Sequence, residues 1–532
     1  MEQETIEGII DILQTLQDAV KHLLSVYISG NMREFESLGR DVSDGITAVQ
    51  NVVARETEDA ACERLRKACV CAAESLKDIR QLVRRNPGEV AWKLECELLM
   101  ILENMALEFY YWELISGHPE RMEEFRELVK KTGNYYRLDQ PKEEREYACD
   151  LSIKVTAYNH LDVTKTCVES ILRNLPEGIS YELVLYNHGS DDGTKEYFES
   201  IEGGHVVNVA INRAFVEMSL RYIRGKYLLF VSNDVFIGNN AIENLYRAID
   251  GHDDYGWIVP STSNVSNYQT IPVNYNNFQG FLAFAEQNNI YDEKRHEMRT
   301  RLCNPLYMIR ADILNQYELE ICKHNYSTSA SPSFPDDRLS LWMRRKGYKS
   351  ILAKDAYCHH VGSVTLKSDF DSEQKWVEFY NAGREEFRGY FGVDPWGTGV
   401  YVEEQLFNTW KLPKIDHAVV LGLNCGCGSN SLKVRELLKE MGAKEGTLYN
   451  GTQEECWLQD LKGVSDEAFM FDSLQEIAGK AGRSRFDFII IDDILRDCNS
   501  ENYLKELNRA GLKFGELAFR DEEKGWHIVR GE

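Results

Sequence analysis

Tyr227-Leu228-Leu229-Phe230-Val231-Ser232-Asn233-Asp234 is the stretch on which the reading of this chain turns. An unbroken apolar run of this length suits a strand covered on both faces, and it ends on two polar residues and an acid. The neighbouring segments have the same grammar. Leu151-Ser152-Ile153-Lys154-Val155-Thr156 and Tyr181-Glu182-Leu183-Val184-Leu185-Tyr186 are strand-like, a helix is predicted over about Val163 to Asn174, another opens near Gly193 and a further one ends near Gly225. Strands alternating with helices predict a mostly parallel, doubly wound sheet, and such sheets take ligands beyond the carboxyl ends of their strands. Asp234 is therefore expected at that edge, and two later polar marks, Asp336-Asp337 and His359-His360, are candidates to join it.

Working outward, the chain changes period twice. From Thr5 to about Thr132 apolar residues fall at helical spacing, as in Ile6, Ile9, Ile10, Leu13, Leu16, Val20, Leu23 and Leu24, with breaks at Ser29-Gly30-Asn31, Asn86-Pro87-Gly88 and Gly117-His118-Pro119. This predicts an all-helical domain of four to six helices whose Glu and Lys residues form solvated faces. The charged segment Gln140 to Glu146 marks the first boundary. A second transition falls between about Trp396 and Asp416, after which Ala418-Val419-Val420-Leu421, a glycine-rich turn, a helix from Leu432 to Met441 and the strand Phe486 to Ile491 repeat the α/β alternation. The tail reads as a small, separate Rossmann-like domain.

Composition narrows the partners. A formal charge of -25 supplies no basic field for nucleic acid or an anionic membrane surface. The thirteen cysteines are scattered, with neither the paired spacing of a zinc site nor the density of a disulfide scaffold, so reduced thiols are expected. No run of about eighteen apolar residues and no basic n-region before an apolar run is present, which predicts a chain without a transmembrane segment and a cytoplasmic location.

In the middle of the chain the residues resemble the family 2 inverting glycosyltransferases of the GT-A fold, over roughly Leu151 to Phe391. The resemblance rests on an ordered series: the opening strand and its Tyr158-Asn159 turn, the loop Asn187-His188-Gly189-Ser190-Asp191-Asp192-Gly193-Thr194, Arg224-Gly225-Lys226-Tyr227, the Asp234 motif, and the region from Asp337 to His360. It implies a nucleotide-sugar donor and a glycan or protein acceptor. It also implies a divalent cation, Mn2+ or Mg2+, held by Asp234 with His359 or His360, because hard cations seek carboxylate oxygen and neutral imidazole. Asp337, with Asp336 as the alternative, would be the general base that inversion requires on the face opposite the leaving group. Thr156, Tyr158, Asn187, Asp192, Ser232 and Asn233 are the implied nucleotide contacts, and Gly362, Ser363 and Thr365 would let backbone approach the phosphates. Ser232 and Asn187 stand where the family usually carries acids. On this reading the chain is a multidomain α and α/β protein: a helical bundle over 1–147, a central GT-A doubly wound domain over 148–412 and a Rossmann-like domain over 413–532.

Each motif also has a purely structural reading. Asp336-Asp337 suits an N-cap, Asp191-Asp192-Gly193 a turn, and the histidine pair a hydrogen-bonded surface strand end. Val420-Leu421-Gly422-Leu423-Asn424-Cys425-Gly426-Cys427-Gly428 and Phe486 to Leu495 resemble motifs of class I methyltransferases, but Gly422, Asn424 and Tyr449-Asn450 replace the family's acid, first glycine and ribose-gripping acid. A degenerate docking or oligomerisation domain is expected, without S-adenosylmethionine as a working cofactor. The alternatives to a sugar transferase are therefore a scaffold that has lost turnover, or a transferase that also moves methyl groups.

Overall fold

The computed structural model describes residues 3–55, 60–115, 118–121, 123–125, 127–128, 147–209, 223–321, 334–362, 373–496, 498–523 and 525–531. The segment Gln140 to Glu146, most of the helix expected to end near Gly225, and Ser363 and Thr365 lie outside the described residues. The chain divides into two compact units, one formed by Met1–Glu169, Gly178–Asn233 and Arg310–Ser331, the other by Ser170–Glu177, Asp234–Ile309 and Pro332–Glu532.

The first unit joins a helical bundle to a parallel sheet. Helices α1 (Gln3–Ile28), α2 (Met32–Val53) and α3 (Ala60–Arg85) are followed by α4 (Gly88–Lys93), which runs through a π turn at Leu94–Leu98 into α5 (Leu99–Tyr110). On α1 the stripe Ile6, Ile9, Leu13, Leu16, Val20 and Leu23 is buried, as its spacing predicts. Helix α5 is buried on nearly every side, covering Leu99 to Leu102, Met105, Leu107 and Phe109 together with Glu103, Asn104 and Glu108. The buried Glu97 carboxylate accepts from Lys93 Nζ at 2.8 Å, Ser75 Oγ at 2.7 Å and the backbone N of Asn208 at 2.8 Å, which ties the bundle to the sheet through satisfied polar groups.

That sheet has the order β3-β2-β1-β4, all parallel, from β1 (Cys149–Ala157), β2 (Tyr181–Asn187), β3 (Gly204–Asn208) and β4 (Gly225–Ser232). Leu151, Ile153, Val155, Leu183, Leu185, Tyr227 and Leu229 are all buried. Gly225 starts β4 because a Cβ there would stand 2.5 Å from Ser152 N and 2.7 Å from Leu151 C, so only glycine permits this approach to β1.

In the second unit the strands are mixed, where the sequence predicts mostly parallel ones. Strand β6 (Tyr255–Thr262) runs parallel to β9 (Lys349–His360), while β5 (Val235–Ile237) and β7 (His296–Arg299) are antiparallel to β9 and β8 (Leu306–Arg310) is antiparallel to β6. The short β5 follows the Asn233-Asp234 turn at once, with no helix to carry the chain over to a parallel position. Every residue of β6 is buried. Trp257, 0% exposed with its indole N–H donating to Ser350 Oγ at 2.6 Å, is the largest of them. Trp257→Ala is expected to cost about 3–5 kcal/mol in urea unfolding, since the site cannot collapse onto so large a void.

The same unit carries a six-stranded sheet of order β12-β11-β10-β13-β14-β15, built from β10 (His417–Leu423), β11 (Glu445–Thr452), β12 (Glu467–Met470), β13 (Arg485–Ile491), β14 (Lys513–Arg520) and β15 (Trp526–Arg530). All pairs are parallel except β14 with β15. Leu421, Leu423, Phe486, Ile489, Ile491, Tyr503, Leu507 and Leu517 form the core on one face. Strand order reverses between β10 and β13, as in doubly wound sheets generally. Among the described residues no helix is long and apolar enough to cross a membrane, and no disulfide joins the cysteines.

Candidate active site

In the first unit the expected nucleotide contacts divide into open and engaged side chains. Thr156 and Tyr158, at and beyond the end of β1, are half-exposed, as is Ser232 at the end of β4. Asn187 is 2% exposed: its amide donates to Asn208 Oδ1 at 3.0 Å and its carbonyl oxygen accepts from Ser190 N at 3.1 Å. Asp192 accepts from Leu161 N at 2.8 Å on one oxygen and from Thr194 Oγ1 at 2.6 Å on the other, which closes a turn before the helix Thr194–Glu199. Burial works to raise its pKa, but the bonds from Thr194 and Leu161 prevail and hold the carboxyl below the ordinary value. Asn233 is also buried, donating to Thr164 Oγ1 at 2.9 Å and to the carbonyl of Asn159 at 3.2 Å. These three fix loop shape, and the sequence gives no sign that their polar atoms are spent internally.

In the second unit Asp234 and His360 come together. Val235 pairs with His360 in the β5–β9 ladder, and His360 Nε2 lies 3.3 Å from Asp234 Oδ2. His360 Nδ1 makes a 2.5 Å hydrogen bond with the carbonyl of Asn264, which fixes the ring and turns Nε2 toward the acid. Burial disfavours the charged imidazole, but the bonds to Asp234 and Asn264 prevail and lift its pKa above the ordinary value. His359 points to the other side of the strand, where Nδ1 meets the hydroxyl of Tyr275 at 2.7 Å and the ring stacks on Phe236. Burial, with His360 adding to it, pushes its pKa down. Gly362 has a φ of +103°, and a Cβ there would stand 2.2 Å from the side-chain amide nitrogen of Asn264.

The acid pair sits within a helix, where the sequence allows an N-cap. Helix Pro335–Lys346 is capped by Phe334, so Asp336 and Asp337 occupy its first turn, favourably placed for the helix dipole. Asp337, 6% exposed, accepts from Arg301 Nε at 2.5 Å and Nη2 at 3.2 Å, one nitrogen on each oxygen. Asp336 is half-buried, and burial pushes its carboxyl up to about 6 against the lowering effect of Arg301. Arg301 belongs to no motif in the sequence reading. It lies in the irregular stretch between β7 and β8, where only the fold reveals its partner.

Asp234 and His360 offer one hard oxygen and one imidazole nitrogen, and among the described residues no group of three or more acids, histidines or cysteines is gathered for a metal. Such a pair fits a cation of the Mg2+ or Mn2+ type that completes its shell with water and substrate phosphates.

Residues 152–303 match the sequence model of Glycosyl transferase family 2. No curated protein matches the sequence. Similar solved structures include GalNAc-T7 with UDP, GalNAc and Mn2+, at 12% identity and a TM-score of 0.31, covering 44% of this chain and 51% of that one. The mannosyltransferase PcManGT from Pyrobaculum calidifontis in complex with GDP-Man and Mn2+ is 15% identical with a TM-score of 0.28, covering 58% and 76%. S. aureus TarS 1-349 in complex with UDP-GlcNAc is 16% identical with a TM-score of 0.30, covering 45% and 67%. This chain thus spans about half the length of the first of these structures.

Proposed function

We propose that the chain is a metal-dependent, inverting transferase that moves a hexose-type residue from a nucleoside diphosphate to a hydroxyl of a glycan or protein. The observation that carries this reading is the Asp234–His360 pair, whose acid lies within the matched residues 152–303. Asp234 and His360 would hold a divalent cation, which when bound neutralises charge on the departing diphosphate. Thr156, Tyr158 and Ser232 would contact the nucleotide, with Asn187, Asp192 and Asn233 shaping its loops. The acid pair would take the proton from the acceptor hydroxyl as it attacks the anomeric carbon. Resemblance assigns that task to Asp337. The geometry favours Asp336, because both oxygens of Asp337 are taken by Arg301 and the Asp336 carboxyl titrates near 6. The helical bundle would help to place the acceptor.

Donor hydrolysis by the full chain, screened over UDP-, GDP- and TDP-sugars with Mn2+, Mg2+ or chelator, tests the reading. Release of one nucleoside diphosphate only with metal is the expected result. No release and no thermal shift with any nucleotide would favour a scaffold instead.

The two histidines should separate cleanly. His360→Ala is expected to remove most of the Mn2+-dependent rise in Tm, while His359→Phe, which keeps an aromatic ring beside Phe236 and Phe281, should retain it. The reverse pattern would reassign the metal-facing ring.

A further inference from the structure

The glycine-rich turn after β10 is filled by the chain itself. Cys425-Gly426-Cys427-Gly428 leads into the helix Ser429–Glu440, the position at which an open doubly wound sheet can receive a phosphate. Here the strap Thr398-Gly399-Val400 lies in it. Ser429 N donates to the carbonyl of Gly399 at 3.0 Å, Cys427 Sγ to the same oxygen at 2.8 Å, and Ser429 Oγ to the carbonyl of Val400 at 2.8 Å. Gly399 and Gly426 have φ of +67° and +54°, and a Cβ on Gly399 would run into the carbonyl of Cys425, as one on Gly426 would into that of Thr398. The fit is built from backbone on both sides and leaves no room there for a ligand.

The strap continues to the acid pair. Tyr401 places its ring 4.9 Å from the Arg301 guanidinium, a cation–π contact on the arginine that holds Asp337. The preceding residue, Thr300, is held from several directions: its hydroxyl meets that of Ser429 and donates to the carbonyl of Val400 at 3.2 Å, and its carbonyl accepts from Arg344 Nη1. Arg344 is in turn anchored on Asp460, 0% exposed, at 2.6 Å. Every one of these partners except Arg344 comes from the strap or the six-stranded domain. Among the described residues, the charged and titratable groups facing Asp336 and Asp337 are Arg301, Cys303, Tyr401 and Arg344.

We propose that the six-stranded domain is a positioning element for the acid pair: its glycine turn grips the strap, the strap fixes Arg301, and Arg301 orients Asp337 and sets the local charge at Asp336. The inference rests on the assignment of that pair as proton acceptor. Arg301 and Tyr401 are positioning residues, acting through the carboxylates.

The test is the pH profile of donor turnover by the full chain and four variants. Arg301→Gln removes the cation that favours ionised carboxylates, so the acidic limb of kcat should move up by about one pH unit or more, with kcat lowered at least about tenfold and donor KM little changed. Arg301→Lys should return the limb toward the wild type while kcat stays low, since an ammonium keeps the charge without the two-pronged grip. Gly399→Ala and Tyr401→Leu should shift the limb in the same direction as Arg301→Gln.

A wild-type limb and kcat in Tyr401→Leu and Gly399→Ala proteins that still unfold cooperatively would overturn the role of the domain. Should Gly399→Ala not fold, Tyr401→Leu and the Arg301 pair decide, and an unmoved limb in either Tyr401→Leu or Arg301→Gln overturns the proposal. Failure of the underlying assignment has a different signature: Asp336→Asn and Asp337→Asn both turn over at the wild-type rate, or the wild-type chain releases no nucleotide from any donor.

Discussion

Asp336→Asn is expected to lower sugar transfer about 10²–10⁴-fold, the usual contribution of a positioned general base, while leaving donor binding intact. A base must be unprotonated at working pH yet basic enough to accept a proton in the transition state. Burial in the first turn of its helix lifts Asp336 from the ordinary aspartate range to about 6, with Asp337 adding to the rise and Arg301 opposing it. The wild-type kcat should therefore fall as pH drops through about 6, by about tenfold per unit below it, because the protonated carboxyl cannot accept. Asparagine has the shape of the acid without that capacity, so the limb and the rate should vanish together.

Stability separates the two acids. A carboxyl whose folded pKa is raised binds its proton more tightly in the folded state. Its favourable contribution is present below the unfolded value and is lost as pH rises through about 6. Asp336→Asn should thus be at least as stable as the wild type at pH 7.5. Asp337→Asn leaves the Arg301 guanidinium, buried with it, without its counter-charge, and should lower Tm as well as rate. Transfer within tenfold of wild type in Asp336→Asn, together with loss in Asp337→Asn, would return the role of base to Asp337.

Much of the architecture was legible because it follows from burial period. The runs Leu151 to Thr156, Tyr181 to Tyr186 and Tyr227 to Val231 are apolar where strands are covered, and the α1 stripe repeats at helical spacing. Mixed strand direction was not legible: the three residues of β5 carry no pattern that fixes a direction, and only the tight turn at Asp234 does so. The motif positions Asp234 and Asp336-Asp337 could be read from residue type and place, whereas the choice between His359 and His360 depends on which face of β9 looks toward Asp234. Arg301 and the strap were invisible for a different reason. Their significance lies in partners 36 positions away for Arg301 with Asp337 and 28 for Gly399 with Cys427, and no local periodicity encodes a pairing at such range.

Asp234→Asn is the second change expected to have a large effect, and it acts on binding as well as rate. The pair it forms with His360 is the only place among the described residues where an acid and an imidazole of the proposed site lie within 4 Å. Replacing the carboxylate removes the one negative charge with which the chain would hold a dication there, and leaves a neutral carbonyl oxygen beside the ring. Loss of several kcal/mol of charge stabilisation on the departing diphosphate corresponds to about 10²–10³-fold in kcat/KM. The Mn2+-dependent rise in Tm should disappear in the same variant, and this readout does not depend on finding the acceptor. Asp234→Glu keeps the charge but lengthens the reach toward His360, so it should fall between the wild type and Asp234→Asn, with weakened metal dependence. An Asp234→Asn protein that still responds to Mn2+ as the wild type does would show that the cation is held elsewhere, and the functional reading would then lose the observation that carries it.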